Sequence, residues 1–190
     1  MIVFGSFLII LSGIMTGNNV YLDINAGESS QDIINKLSQF YQTSSTQDES
    51  VREYYENADN EMAYVNIEDN SYIGILSIPR YNLELPVMKE WSYDRLQISP
   101  CLYSGTIYKH NMVIAAHNYY SHFGNISGLN KGDEVIFKSI DNIDVEYTVS
   151  QVDTLDPYAV EEMCNSKYDL TLFTCTWGGQ RRVTVRCLAK

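Results

Sequence analysis

Leu170-Thr171-Leu172-Phe173-Thr174-Cys175 is an apolar strand pattern that ends in a thiol, and Arg182 follows seven residues later across a turn containing Gly178-Gly179. A thiol becomes a strong nucleophile only as a thiolate, and a nearby cation both favours that ionisation and can hold an oxyanion. A second apolar run, Met112-Val113-Ile114-Ala115-Ala116, ends in His117, which supplies a candidate base. Both reactive groups then stand at strand ends, where loops can open a site. Taken alone, Cys175 would read as a buried strand cysteine, since unpaired cysteine is among the most buried residue types. The Thr-Cys strand end, the two glycines and the pair Arg181-Arg182 reverse that reading. Arg182 starts the alternation Arg182-Val183-Thr184-Val185-Arg186, so Arg181 should face away from whatever Arg182 faces.

Of the other histidines, His110 precedes Asn111 in a polar turn and is expected to be exposed. His122 falls just inside the loop after His117, within reach of a cleft. Thr174 offers a hydroxyl to nucleophile or substrate, and Trp177 stands two residues beyond the thiol.

These residues resemble the sortases, cysteine transpeptidases of Gram-positive surfaces. The segment Thr171-Leu172-Phe173-Thr174-Cys175 is similar to the family's TLXTC signature, His117 stands in the Ala-Ala-His segment, and Arg182 opens the last strand. Gly74-Ile75-Leu76-Ser77-Ile78-Pro79 and Gly132-Asp133-Glu134-Val135 extend the match across residues 72–188. The resemblance implies a mostly β, closed eight-stranded barrel with short helices. It implies Cys175, His117 and Arg182 as the catalytic set; Ala116, Thr174, Trp177 and His122 are the candidate substrate contacts by their position around it. It also implies two-step acyl transfer without a cofactor. Cys175 attacks the threonine carbonyl of an LPXTG-like signal near the C-terminus of a secreted protein, and an amine then resolves the thioester. The acceptor would be a peptidoglycan precursor or another amine. The alternatives are a cysteine peptidase that releases the acyl group to water, a pilin-polymerising sortase, and an inactive surface module. The short Cys-to-Arg turn and the lack of a lid motif ahead of the barrel argue against a pilus polymerase, and the N-terminal helix resembles that of sortases serving specialised substrates, a class B-like or D-like member. Asp156-Pro157-Tyr158 is similar to that lid motif, but it lies between late strands and reads as a turn.

Charge is distributed unevenly in this 190-residue chain of net charge -11: residues 23–71 hold eleven acids and two bases, whereas residues 72–190 hold thirteen and eleven. No basic stripe exists to neutralise phosphates, which argues against nucleic-acid binding. The first charged side chain is Asp23, and residues 2–15 are almost wholly apolar. Residues 1–22 just reach the roughly 20 residues that a bilayer span needs. With no convincing small-x-small cleavage site, an uncleaved anchor is preferred to a signal peptide. The expected organisation is an anchor in the cytoplasmic membrane (1–22), an acidic linker with an amphipathic helix near 29–41 capped by Ser29 or Ser30 (23–71), and an extracytoplasmic catalytic barrel (72–190). A second, loosely docked helix is expected near 51–58.

Strands are expected near 72–78, 83–89, 106–108, 112–117, 134–139, 145–153, 171–175 and 182–187, with short helices near 122–129 and 158–165. The four cysteines lack C-x-x-C spacing, so zinc is not expected. Calcium would have to use scattered acids such as Glu84, Asp133 and Glu161. Cys187 lies about 16 Å along its strand from Arg182 and should not bridge Cys175. Cys101 and Cys164 could pair with each other, but small buried hydrophobes are the preferred reading.

Overall fold

From Val65 onward the chain is written in short runs of β-branched and aromatic residues separated by Gly, Asn and Pro, and these runs become strands. The computed structural model describes residues 2–44, 61–164 and 167–190. Among them the strands are β1 (Val65–Ile67), β2 (Asn70–Ile78), β3 (Leu83–Met88), β4 (Cys101–Ser104), β5 (Met112–Ala115), β6 (Glu134–Ser139), β7 (Asp144–Leu155), β8 (Leu170–Cys175) and β9 (Arg182–Ala189). Their order is β1-β2-β3-β4-β5-β8-β9-β7-β6, and β6 returns to pair with β2 from Gly74↔Ser139 to Ser77↔Ile136. Strands β2 to β9 therefore form a closed eight-stranded barrel, with β1 added beside β2. Gly74 is required at the seam, because a Cβ there would lie 2.1 Å from the Lys138 carbonyl oxygen. Leu76, Ile78, Leu85, Ile114, Phe137, Leu172 and Val185 fill the interior.

Seven of the eight expected strands are present; the one at 106–108 is not. Thr106 to His110 is a turn, because polar side chains take over the backbone. Asn111 Oδ1 accepts from the Thr106 amide (3.1 Å) and Thr106 Oγ1 from the Lys109 amide (3.1 Å). The antiparallel partner of β5 is instead β4, a run that the sequence reading passed over. The helix expected near 122–129 is a series of tight turns with a 3-10 helix at Ile126–Gly128. The short helices are α2 (Tyr93–Leu96), whose Arg95 amide donates to the capping Ser92 Oγ at 3.1 Å, and α3 (Val160–Cys164).

Ahead of the barrel, α1 (Ile2–Ser44) is one continuous helix that runs through the expected boundary at residue 22. No proline interrupts it, and neither Ser29 nor Ser30 starts it. Its first half is exposed on all sides, with Phe4, Ile9, Ile10 and Ile14 facing outward. By length and composition α1 is apolar enough to cross a membrane. In the second half Ile33, Ile34 and Leu37 are buried against Tyr72, Ile75, Met88 and Ile140 of the barrel, which is the amphipathic face expected there. The second linker helix expected near 51–58 lies outside the described residues. All four cysteines are free; Cys101 and Cys187 are fully buried, and burial pushes both thiols up to about 12.

Candidate active site

Strands β5 and β8 run parallel and in register from Met112↔Leu170 to Ala115↔Phe173, so they end at the same rim of the barrel. Two bonds extend the pairing beyond the sheet. The Ala116 amide donates to the Phe173 carbonyl (3.1 Å), and the buried Thr174 hydroxyl donates to the Ala116 carbonyl (2.8 Å). His117 and Cys175 are each the next residue along, His117 just past β5 and Cys175 the last residue of β8. On the other side of β8, antiparallel pairing with β9 sets Cys175 opposite Arg182. The connecting turn is closed by the Thr176 amide donating to the Arg181 carbonyl (2.9 Å) and the Gly179 amide to the Thr176 carbonyl (2.8 Å). Gly178 (φ 86°) and Gly179 (φ 74°) take left-handed conformations that side chains with a Cβ rarely adopt.

The two arginines separate as strand alternation requires. Arg181 Nη2 donates to the Thr154 carbonyl at 3.0 Å on β7. Arg182 Nη1 lies over its own turn, donating to the Gly179 (3.0 Å) and Arg181 (3.2 Å) carbonyls. Only Arg182 lines the cavity beside Cys175.

His117 is half-buried, and its ring stacks on Tyr119 with centroids 3.9 Å apart and planes 20° from parallel. Its Nδ1 is buried without a hydrogen-bond partner among the described residues. Burial lowers its pKa; a hydrogen bond to Asn118 and the charge of Asp23 oppose that effect without cancelling it. The imidazole is therefore mostly neutral at neutral pH. His122 is wholly buried, with Nε2 3.5 Å from Ser30 Oγ of α1, and lines neither of the two cavities beside Cys175. Burial, with the neighbouring His117, pushes its pKa down to about 4. His110 is exposed and faces Asp169 at 3.4 Å.

A cavity of about 620 Å³ opens on one side of Cys175. Its wall is an aromatic ladder in which Trp91 contacts Tyr103 (centroids 5.3 Å) and Tyr103 meets Phe173 edge-on (5.2 Å). Among the described residues, Arg182 is the one charged residue in its lining. Such a groove suits a peptide with apolar side chains and a carbonyl presented to the thiol. A smaller cavity of about 230 Å³ lies on the other side, lined by Asn118, Phe123, Ser127 and Trp177. Cys175 and Thr174 line both. Ala116 faces the larger cavity, and Trp177 stands 82% exposed at the smaller one.

Three residues or segments have places at the site that the sequence did not reveal. The Asp156-Pro157-Tyr158 turn, tied by the Tyr158 amide to Asp156 Oδ1 (2.9 Å), places Pro157 and Tyr158 in the groove wall. Arg186, read as an alternating strand residue, is buried. It donates to the Met163 (3.2 Å) and Glu162 (3.0 Å) carbonyls, holding the C-terminal end of α3. Asp23 accepts from the Tyr120 and Ser121 amides of the loop after His117, both at 2.9 Å. Its one sequence signal was its place as the first charge after the apolar stretch. Among the described residues no cluster of metal-ligating side chains exists.

A family model described as the sortase domain matches residues 76–190. Sortase A of Bacillus anthracis is 31% identical over 123 residues, covering 60% of this chain and 57% of that protein. The chain thus spans a little over half the length of this curated relative. Sortase C of Streptococcus pneumoniae superposes with a TM-score of 0.65 at 22% identity, over 82% of this chain and 96% of its own. Sortase C of Clostridium perfringens, solved with the C-terminal cell wall sorting motif, gives 0.63 at 23% identity, over 83% and 98%. A sortase D5 transpeptidase of Clostridium perfringens gives 0.59 at 18% identity, over 86% and 96%. These three likenesses are likenesses of fold.

Proposed function

The chain belongs to the sortase family, and on that premise we propose that it is a membrane-anchored cysteine transpeptidase acting on an LPXTG-like sorting signal. The observation that supports this most is the shared rim on which parallel β5 and β8 deliver His117 and Cys175, with Arg182 in register opposite the thiol. Cys175 as thiolate attacks the threonine carbonyl of the signal, and Arg182 with nearby backbone amides holds the oxyanion. His117 gives its proton to the leaving amine as the thioester forms. In its neutral form it then takes a proton from the incoming amine, and the new amide releases the thiolate. The aromatic groove beside Cys175 seats the apolar part of the signal. The exposed apolar half of α1 is the anchor, leaving the barrel outside the cell.

The test is incubation of the full chain with a sorting-signal peptide and an excess of amine. Amide product that rises with amine concentration, and that disappears in Cys175→Ala, is expected. Hydrolysis alone, whatever amine is offered, would instead make the protein a peptidase. Offering glycyl, diaminopimelyl and lysyl amines side by side distinguishes a wall anchor from a pilin polymerase.

A further inference from the structure

Residues Asp23 to Ser30 of α1 lie directly against the loop that follows His117. Asp23 Oδ2 accepts from the Tyr120 amide and Oδ1 from the Ser121 amide, each at 2.9 Å. In the reverse direction, Ser121 Oγ donates to the Asp23 carbonyl at 3.0 Å. One turn along, the helix backbone comes so close that a Cβ on Gly27 would lie 3.1 Å from Ser121 Cβ. A further turn brings Ser30 to the buried His122. The loop thus held begins with Tyr119, the ring on which His117 stacks. A carboxylate that fills both oxygens with adjacent backbone amides makes short, charge-assisted bonds that fix the path of the loop.

We propose that Asp23 is a positioning residue for acyl transfer, clamping the 119–122 loop to α1 so that Tyr119 fixes the plane of the His117 ring on which it stacks. The inference rests on the reading of His117 as the acid and base. Its consequence is that the anchoring helix is part of the active site's support as well as a tether. Asp23 immediately follows the exposed apolar stretch of α1, so the loop it holds lies where the helix leaves that stretch. The charge acts in the same sense: Asp23 raises the pKa of His117 against the opposing burial. The other polar groups facing that ring are Tyr119, Asn118 and His122 of its own loop.

The test uses the full chain in detergent micelles and the nearly isosteric Asp23→Asn, whose NH2 group must face one of the two amides. Expected are a roughly 10-fold lower kcat, a KM for the sorting peptide within about twofold, and an acid limb of the pH profile moved to lower pH. Asp23→Glu, which keeps the carboxylate, should restore part of the rate. Asp32→Asn on an exposed turn of the same helix should change none of these. Hydrogen exchange gives an independent reading: the Tyr120 and Ser121 amides are expected to be protected in the wild type and to lose protection in Asp23→Asn, while β8 stays protected. Unprotected amides in the wild type would overturn the clamp. Lost protection in Asp23→Asn with unchanged kcat and pH profile would overturn the positioning role. A wild-type chain that cleaves no sorting peptide would instead sink the transpeptidase reading, leaving exchange to judge the clamp.

Discussion

At the scale of single residues, the neighbouring arginines have opposite assignments. Arg182 lines the groove and faces Cys175 across the β8–β9 ladder, whereas Arg181 is spent on the Thr154 carbonyl. Losing one oxyanion donor costs about 10²- to 10³-fold in rate. Arg182→Ala should therefore lower kcat/KM by that order, while Arg181→Ala stays within a few-fold of wild type; steady-state kinetics with one sorting peptide compares them. Thr174 is a second case. Its buried hydroxyl joins the backbone just ahead of His117 to the strand that carries the thiol. Thr174→Val keeps the shape and strands the Ala116 carbonyl, which should cost about 1–3 kcal/mol in denaturant unfolding. It should also lower kcat more than KM changes. The depressed pKa of His117 sets a third expectation, an acid limb of kcat/KM with its midpoint below 6.5.

At the scale of elements, the groove wall depends on how α3 is held. A helix of five residues has little stability of its own. Arg186, nearly wholly buried, reaches from β9 to the last carbonyls of α3 and approaches Asp153 at 3.7 Å. Removing one partner of a buried charged network is expensive, on the order of 3 kcal/mol. Arg186→Met should lower the unfolding midpoint correspondingly. It should also raise KM for the peptide, because Val160 and Met163 of α3 line the groove. The same residue marks a limit of pattern reading. The alternation of β9 predicts which face Arg186 occupies but not that its head is roofed by another element. Strand β4 was missed for a related reason: Cys101–Ser104 has no alternation of its own and becomes a strand by pairing with β5.

For the molecule as a whole, closing the barrel is what brings β5, β8 and β9 into one wall, and the return of β6 to β2 closes it. Leu76 faces Phe137 across that seam, and both are fully buried. Leu76→Ala should destabilise by about 2–5 kcal/mol. Stability should also depend on pH through His122, enclosed between α1 and its loop. Its folded pKa of about 4 lies below the unfolded value of 6.5, so protonation favours the unfolded chain. Its contribution is complete above pH 6.5 and is lost as pH falls from there to about 4, on the order of 3 kcal/mol. Asp23, drawn below 3.8 by hydrogen bonds from Ser121 and Tyr120 that outweigh the opposing effect of burial, acts at lower pH. His122→Gln should flatten the thermal-melting profile between pH 6.5 and 4 while leaving a fall below it.

The chain by itself determined what local pattern and residue chemistry can carry. Alternation and turn residues marked seven of the barrel's eight strands, the thiol and imidazole fell at the ends of apolar runs, and the apolar N-terminus was plain from composition. Tertiary structure decided which groups share a space. Parallel pairing of strands 58 residues apart brings Cys175 to the rim where His117 stands. A carboxylate 97 residues away from Tyr120 in the chain is bound to the loop beside that histidine. Periodicity reports only the face on which a residue lies, whereas such contacts are formed when the barrel closes and α1 packs against it.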